Sequence, residues 1–373
     1  MDKSHIYQGI FATLRCNLSC ECCCREEDDI KRELYLSYRQ LRESLEETQF
    51  FNEKYHVHKI FTGGEPTLWR EGGKGIADVM VETAQLGFFP MLLTNGTAFL
   101  SEESTARFVD SYLSRASLPI EIFISTDFWH GNIDKNGRCL ALDNLLSFRN
   151  RQGSRSALTI AFSWTCSTRP EHFPPEQFLT NYQKEVDASV YFPLTPRGKG
   201  HHLSSIAPKL RPADRNKEPL GAYSETVMHR MLDKGWIKKA EDFLQMDNSI
   251  ILNECSTGNG TLFLYADGHY YTCADGIGNE FFHICDVGKM TRNTMDEFFA
   301  AKPVFKLLRE LGPLGLLRRF AEEPEITDIH NALCSFGISE RGGCAIHRLM
   351  LEKGLFQRIN ASLVNGRLPL GSR

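Results

Sequence analysis

Long apolar runs are missing from this 373-residue chain; no stretch approaches the roughly 18–20 uncharged residues of a membrane-crossing helix. The opening Met1-Asp2-Lys3-Ser4-His5 holds no apolar signal-peptide core. These two absences predict a cytoplasmic protein without a membrane partner. An excess of one charge is missing as well. Acidic residues number 47 against 43 Lys and Arg, a formal net charge of −4, which gives no general reason to expect a nucleic-acid partner. Internal repeats and low-complexity tracts are absent, so the chain reads as neither a solenoid nor a disordered linker. Hydrophobic content of 42% and charged content of 24% are ordinary for a globular protein long enough for one large domain and a smaller one. Cysteine is not scarce. Twelve cysteines without a secretory signal point to metal or redox chemistry and away from disulfides.

Five of the twelve fall between Cys16 and Cys24. Cys16, Cys20 and Cys23 are spaced Cys-x3-Cys-x2-Cys, which lets three thiolates wrap one face of a cubane and hold three irons of a 4Fe–4S cluster. The fourth iron is then open to a small chelating molecule, unlike the four-cysteine clusters of simple electron carriers. Cysteines at two- to four-residue spacing also suit tetrahedral zinc, so an iron–sulfur or zinc-binding scaffold without catalysis is the non-enzyme alternative. A zinc knuckle would need a second Cys or His pair close by.

The run Lys59-Ile60-Phe61-Thr62-Gly63-Gly64-Glu65-Pro66 reads as a buried strand entering a tight turn. Gly63 and Gly64, lacking side chains, let a ligand approach the backbone. Glu65 and Pro66 fix the turn, with Glu65 a candidate acceptor for an ammonium group. In this order and spacing, the cysteine triplet and the Gly-Gly-Glu-Pro turn resemble the radical S-adenosylmethionine (radical SAM) superfamily. The resemblance implies that Cys16, Cys20 and Cys23 bind the cluster and that Gly63, Gly64, Glu65 and Pro66 hold the methionine part of SAM. One position departs from the family pattern. The residue before the last cluster cysteine is usually aromatic, but here it is Cys22.

Strand patterns alternate with amphipathic helices, as in parallel β/α units. Strands are expected at 6–14, 57–61, 89–93, 120–125, 158–164 and 188–192, with helices at about 37–54 and 75–86 and another capped by Ser101. The cysteine loop, the Gly-Gly turn, Asn95-Gly96 and Ser125-Thr126-Asp127 then all lie at carboxyl ends of strands, where ligands bind in such folds. The fold this implies is α/β, a radical SAM (β/α)6 partial barrel. By resemblance, Ser125 and Asp127 contact the SAM ribose and Asn95 lies at the neighbouring strand end.

The last third carries a second cysteine pattern. Cys255 and Cys273 flank a hairpin signal at Asp267-Gly268, giving Cys-x12-Gly-x4-Cys. This resembles the opening of SPASM and twitch domains, small α+β modules that add auxiliary 4Fe–4S clusters to radical SAM barrels. Of the four further SPASM cysteines, two are present as Cys334 and Cys344, while Asn331 and Glu340 stand at the other two positions. Two auxiliary clusters need about eight ligands, so one auxiliary cluster is expected, held by Cys255, Cys273 and Cys344 with Cys334 or Cys285 as the fourth. A thiol left out, such as Cys285, is a candidate hydrogen-atom donor, and Asp275 a candidate base. The domains expected are a barrel at 1–220, a helical linker at 221–250 and a SPASM/twitch-like domain at 251–373.

The resemblance implies reductive cleavage of SAM to a 5′-deoxyadenosyl radical that takes hydrogen from an unactivated C–H bond. It also implies an electron donor of the flavodoxin or ferredoxin type. With a first barrel strand expected near residue 6, a leader-gripping domain ahead of the barrel is not expected. That favours oxidation or epimerisation of a polar small molecule, a sugar or aminoglycoside-type metabolite. The alternative is a maturase of a ribosomally made peptide or protein.

Overall fold

The computed structural model describes residues 3–21, 23, 25, 31–153, 157–166, 174–193, 262–274, 276–319, 350 and 354–365. Six strands form its centre: β1 (Ser4–Thr13), β2 (Tyr55–Gly63), β3 (Phe89–Thr94), β4 (Ile120–Ser125), β5 (Leu158–Cys166) and β6 (Ala188–Pro193). They pair in chain order and are parallel throughout. Between them run α1 (Tyr38–Glu47), α2 (Ile76–Gln85), α3 (Glu102–Leu113), α4 (Leu140–Gln152) and α5 (Glu176–Tyr182). This is the β/α alternation of the (β/α)6 reading, and every expected strand is present.

The helices form where sequence and capping agree. Ser37 accepts from the Gln40 backbone N–H while Gln40 accepts from the Ser37 N–H, a capping box that starts α1 and turns Leu41 and Leu45 to the core. Ser101 accepts from Ser104 N and starts α3. The expected helix over 37–54 is shorter than the sequence suggests. It ends at Glu47 because the Thr48 hydroxyl bonds back to Ser44 O, and the chain continues as a 3₁₀ turn, Gln49–Glu53.

One face of the sheet packs on the helices through Ile10, Val57, Phe61, Leu92, Ile122, Ile124, Ile160 and Phe162, all nearly or fully buried. The other face carries a smaller apolar layer of Met91, Phe123 and Ala161 with Tyr7, Ile60 and Leu93. Lys59 is buried among helix-facing side chains; its ammonium donates to Gln8 Oε1 at 2.5 Å and Thr48 Oγ1 at 2.7 Å. Burial pulls its pKa down to about 7.

Three further strands extend the sheet beyond β1: β7 (Phe263–Leu264), β8 (His269–Tyr271) and β9 (His283–Asp286). β7 is parallel to β1, and the hairpin turn at Asp267-Gly268 returns β8 antiparallel to it, with Gly268 at φ +84°. Residues 263–286 are therefore continuous with the barrel sheet. Helices α6 (Arg292–Ala301), α7 (Val304–Arg319) and α8 (Leu355–Val364) follow. Phe282, Phe298, Phe305 and Phe356 of this region form a second core with Leu14 and Tyr265. No helix among the described residues is long and apolar enough to cross a membrane.

Candidate functional site

The cysteine loop leaves the carboxyl end of β1 and is stitched directly to the turn after β2. Gly64 N donates to Thr13 O and Glu65 N to Arg15 O, both at 2.7 Å. The two glycines are required by this contact. A Cβ on Gly64 would lie 2.0 Å from Arg15 O, and one on Gly63, at φ +128°, 2.2 Å from Thr13 O. Their missing side chains thus make room for the backbone of the cysteine loop itself.

Glu65 is fully buried. Its Oε1 accepts from Thr67 N (3.1 Å), Thr67 Oγ1 (2.6 Å) and Thr94 Oγ1 (2.7 Å), and its Oε2 from Asn95 N (2.8 Å). The carboxylate so ties the end of β2 to the end of β3. Pro66 opens the short 3₁₀ turn that follows and is buried. The Asn95 side chain reaches back to the cysteine loop, donating to Asn17 Oδ1 at 2.9 Å with Cys16 Sγ at 3.9 Å.

Each of the three cysteines has a polar neighbour. Leu18 N lies 3.5 Å from Cys16 Sγ, and Arg25 Nε donates to Cys23 Sγ at 3.3 Å. His130 stands beside Cys20, whose sulfur helps to hold the imidazolium. Arg25 is itself buried and anchored on Leu14 O. Burial pushes the Cys16 thiol pKa up, against the Leu18 N–H and the Arg25 charge that favour the thiolate. Cys23 N donates to Cys20 O at 3.2 Å, a turn that curls the loop between the second and third cysteines.

The end of β4 completes the rim. The Ser125 hydroxyl sits 3.3 Å from that of Ser163 on β5, and Ser125 O accepts from Asn132 Nδ2 at 2.6 Å. Asp127 is buried; its Oδ1 accepts from Trp129 N at 3.2 Å and meets His130 Nδ1 at 2.6 Å. Burial opposes a charge on His130, but its bonds to Asp127 and Cys20 outweigh that and push its pKa up to about 10. Sequence reading missed His130, Arg25 and Asn132. The first had a usable signal: Asp127 and His130 are three apart, which places both on one side of the turn Phe128–His130.

Four strand ends therefore place Cys16, Cys20, Cys23, Gly63, Gly64, Glu65, Pro66, Asn95, Ser125 and Asp127 on one rim. The profile of the radical SAM superfamily matches residues 10–125, the segment that runs from β1 through the end of β4. Residues 10–125 form a radical SAM domain. Such a domain works with S-adenosylmethionine and a 4Fe–4S cluster. Among solved structures, native anSMEcpe with bound AdoMet superposes with a TM-score of 0.51 at 15% identity, over 95% of this chain and 99% of that one. Streptococcus suis SuiB bound to precursor peptide SuiA gives 0.48 at 12% identity, over 82% and 67%. BtrN in complex with AdoMet and 2-DOIA gives 0.41 at 13%, over 84% and 91%. At these identities the likeness concerns the fold alone. No curated protein matches the chain in sequence.

The radical SAM rim does not gather every expected residue. Cys285, on β9, is half-buried against Tyr270 and beside Glu47, the last residue of α1. Glu47 of α1 accepts from the hydroxyl of Tyr270, the ladder partner of Cys285, so this thiol lies on the helix-covered side of the sheet. Burial first, then the charges of Glu47 and Asp286, push its pKa up to about 12. Cys273 follows β8 and packs against the second core. Cys255, Asp275, Cys334 and Cys344 lie outside the described residues.

Proposed function

We propose that Cys16, Cys20 and Cys23 hold the 4Fe–4S cluster of a radical SAM enzyme. The observation that carries this is the polar surround of the sulfurs: Leu18 N on Cys16, Arg25 on Cys23, and the His130 imidazole beside Cys20. Thiolates that ligate a cluster are stabilised by such donors, which also set its reduction potential. The chemistry of the set fits the group, with three soft sulfur ligands, a buried guanidinium among them and no fourth thiol required.

A 4Fe–4S cluster held by these three cysteines would supply the electron for reductive cleavage of bound SAM, and so the means to take hydrogen from an unactivated C–H bond. The chain's residues do the rest. Gly63, Gly64, Glu65 and Pro66 shape the seat for the methionine end of SAM, with Glu65 fixing the distance between two strand ends. Asn95, Ser125 and Asp127 stand at the ribose side. The neighbouring hydroxyls of Ser125 and Ser163 make the rim polar above the Met91, Phe123 and Ala161 layer. A polar rim supports a hydroxyl-rich small molecule as substrate, oxidised or epimerised. A flavodoxin or ferredoxin would deliver the electron. Cys255, Cys273, Cys344 and Cys334 are proposed to hold one auxiliary cluster in a SPASM/twitch-like tail, with Asp275 as the base that takes the proton.

The test is anaerobic reconstitution with iron and sulfide, reduction with dithionite in the presence of SAM, and assay for 5′-deoxyadenosine. About eight irons with steady cleavage are expected for two clusters. Cleavage with only about four irons would remove the auxiliary cluster from the proposal. Continued cleavage in a Cys16→Ala/Cys20→Ala/Cys23→Ala variant would overturn the ligand assignment.

A further inference from the structure

The end of the sheet opposite β6 brings together three side chains of ligand type, none of them part of the cysteine loop. β8 and β9 are antiparallel, with His269 opposite Asp286 and Tyr271 opposite His283. Residues 283 and 286 would fall on opposite faces of a regular strand. Here the register slips by one residue between Tyr270 and Tyr271, and that bulge returns His283 to the face of Asp286. The His269 and His283 rings meet edge to face with centroids 4.7 Å apart. His269 Nδ1 lies 2.7 Å from Asp286 Oδ1, and His283 Nε2 lies 3.4 Å from the same oxygen.

We propose that His269, His283 and Asp286 form a binding site for a divalent cation of the zinc class. All three ligand atoms fall within 4.8 Å of one another. His283 Nε2 is buried and has no hydrogen-bond partner among the described residues, so one imidazole nitrogen already faces the carboxylate unspent. Two imidazoles and a carboxylate oxygen suit zinc, with metal–ligand bonds of about 2.0–2.2 Å and hence ligand–ligand separations of about 3.3 Å in a tetrahedron. The His283–Asp286 distance meets this as it stands. His269 needs to withdraw by about 0.6 Å to reach it, a small rotation for a side chain 40% exposed.

Lys289 does not close the site. Its ammonium holds the other carboxylate oxygen, Oδ2, at 2.5 Å and is 69% exposed, so Oδ1 stays available and the cation's charge is met by a lysine able to swing outward. The three side chains are partly exposed, which leaves the fourth position to water. The bound cation would pin β9 to β8 across the bulge, where the ladder is weakest.

Holoenzyme reconstituted with iron and sulfide is equilibrated with zinc and freed of excess, and its metals are counted. About one zinc per chain beyond that of a His269→Gln/His283→Gln variant is expected, at equal iron. Cobalt in place of zinc is expected to give ligand-field bands of nitrogen and oxygen ligation that vanish in that variant. Equal zinc in the two proteins, or a cobalt spectrum of thiolate charge transfer unchanged by the substitutions, overturns the site. If the double variant loses iron and so reveals misfolding, Asp286→Asn takes its place. There zinc affinity is expected to fall about ten-fold or more, by comparison with supporting residues of metal sites. Unchanged affinity overturns the proposal.

Discussion

Glu65 and Asn95 belong to different strand ends, yet Oε2 of the first accepts the backbone N–H of the second at 2.8 Å. The same carboxylate takes three more donors from Thr67 and Thr94, so one buried side chain fixes the spacing of the β2 and β3 ends. Glu65→Gln turns an acceptor into a donor that must face one of those donors. Loss of about 1.5–3 kcal/mol in unfolding free energy is expected, as for a hydrogen bond to a charged group. Urea unfolding checks it, and iron retention should fall in parallel because Asn95 also braces the cysteine loop.

Gly64→Ala is a sterner change. Its Cβ would meet the Arg15 carbonyl oxygen at 2.0 Å, and that oxygen is backbone, unable to swing aside as a side chain could. Destabilisation of about 3 kcal/mol or more is expected, with loss of cluster assembly. Gly73→Ala is the comparison: its Cβ meets nothing within 4 Å, and only its φ of +79° is strained. A Gly64→Ala protein that assembles its cluster normally would show that the loop is not seated as described.

His130→Phe keeps a ring in place but removes the imidazole that stands beside Cys20. Donors to a ligating sulfur raise the potential of an iron–sulfur cluster by stabilising its reduced, more negative state. The variant's midpoint potential is expected to fall, read by redox titration with EPR at unchanged iron content. A purely structural role for His130 would alter stability and leave the potential where it was.

Lys59 supplies a pH dependence. In the folded chain its pKa falls to about 7 from the usual 10.5, because it is stripped of water. Between those values the unfolded chain binds a proton that the folded chain does not, so stability rises with pH across that window and is flat below it. Lys59→Met removes this term. The variant's stability advantage is expected to be greatest at or below pH 7 and to shrink by about 1.4 kcal/mol per pH unit above it. Urea titrations at two pH values decide, and an advantage independent of pH would refute the assignment.

Much of the site was legible because its residues are contiguous. Cys16, Cys20 and Cys23 share one loop, and Gly63 to Pro66 one turn, so spacing alone carries their chemistry. The reason for the glycines was not legible, since the carbonyls they accommodate belong to Thr13 and Arg15, some fifty residues earlier. His130 was missed because its partner Cys20 lies on another loop.

The sequence by itself determined the parallel β/α alternation, since strand periodicity and caps such as Ser37 and Ser101 act over a few residues. It likewise determined that the cysteine triplet and Gly-Gly turn fall at strand ends. Only the tertiary structure decided what stands beside each sulfur, that Glu65 spends its carboxylate on two strand ends, and that a bulge brings His283 round to His269 and Asp286. Those depend on distances between residues remote in the chain, and on the register with which strands pair. One residue of slip moves a side chain to the other face of the sheet, and local pattern carries no record of it.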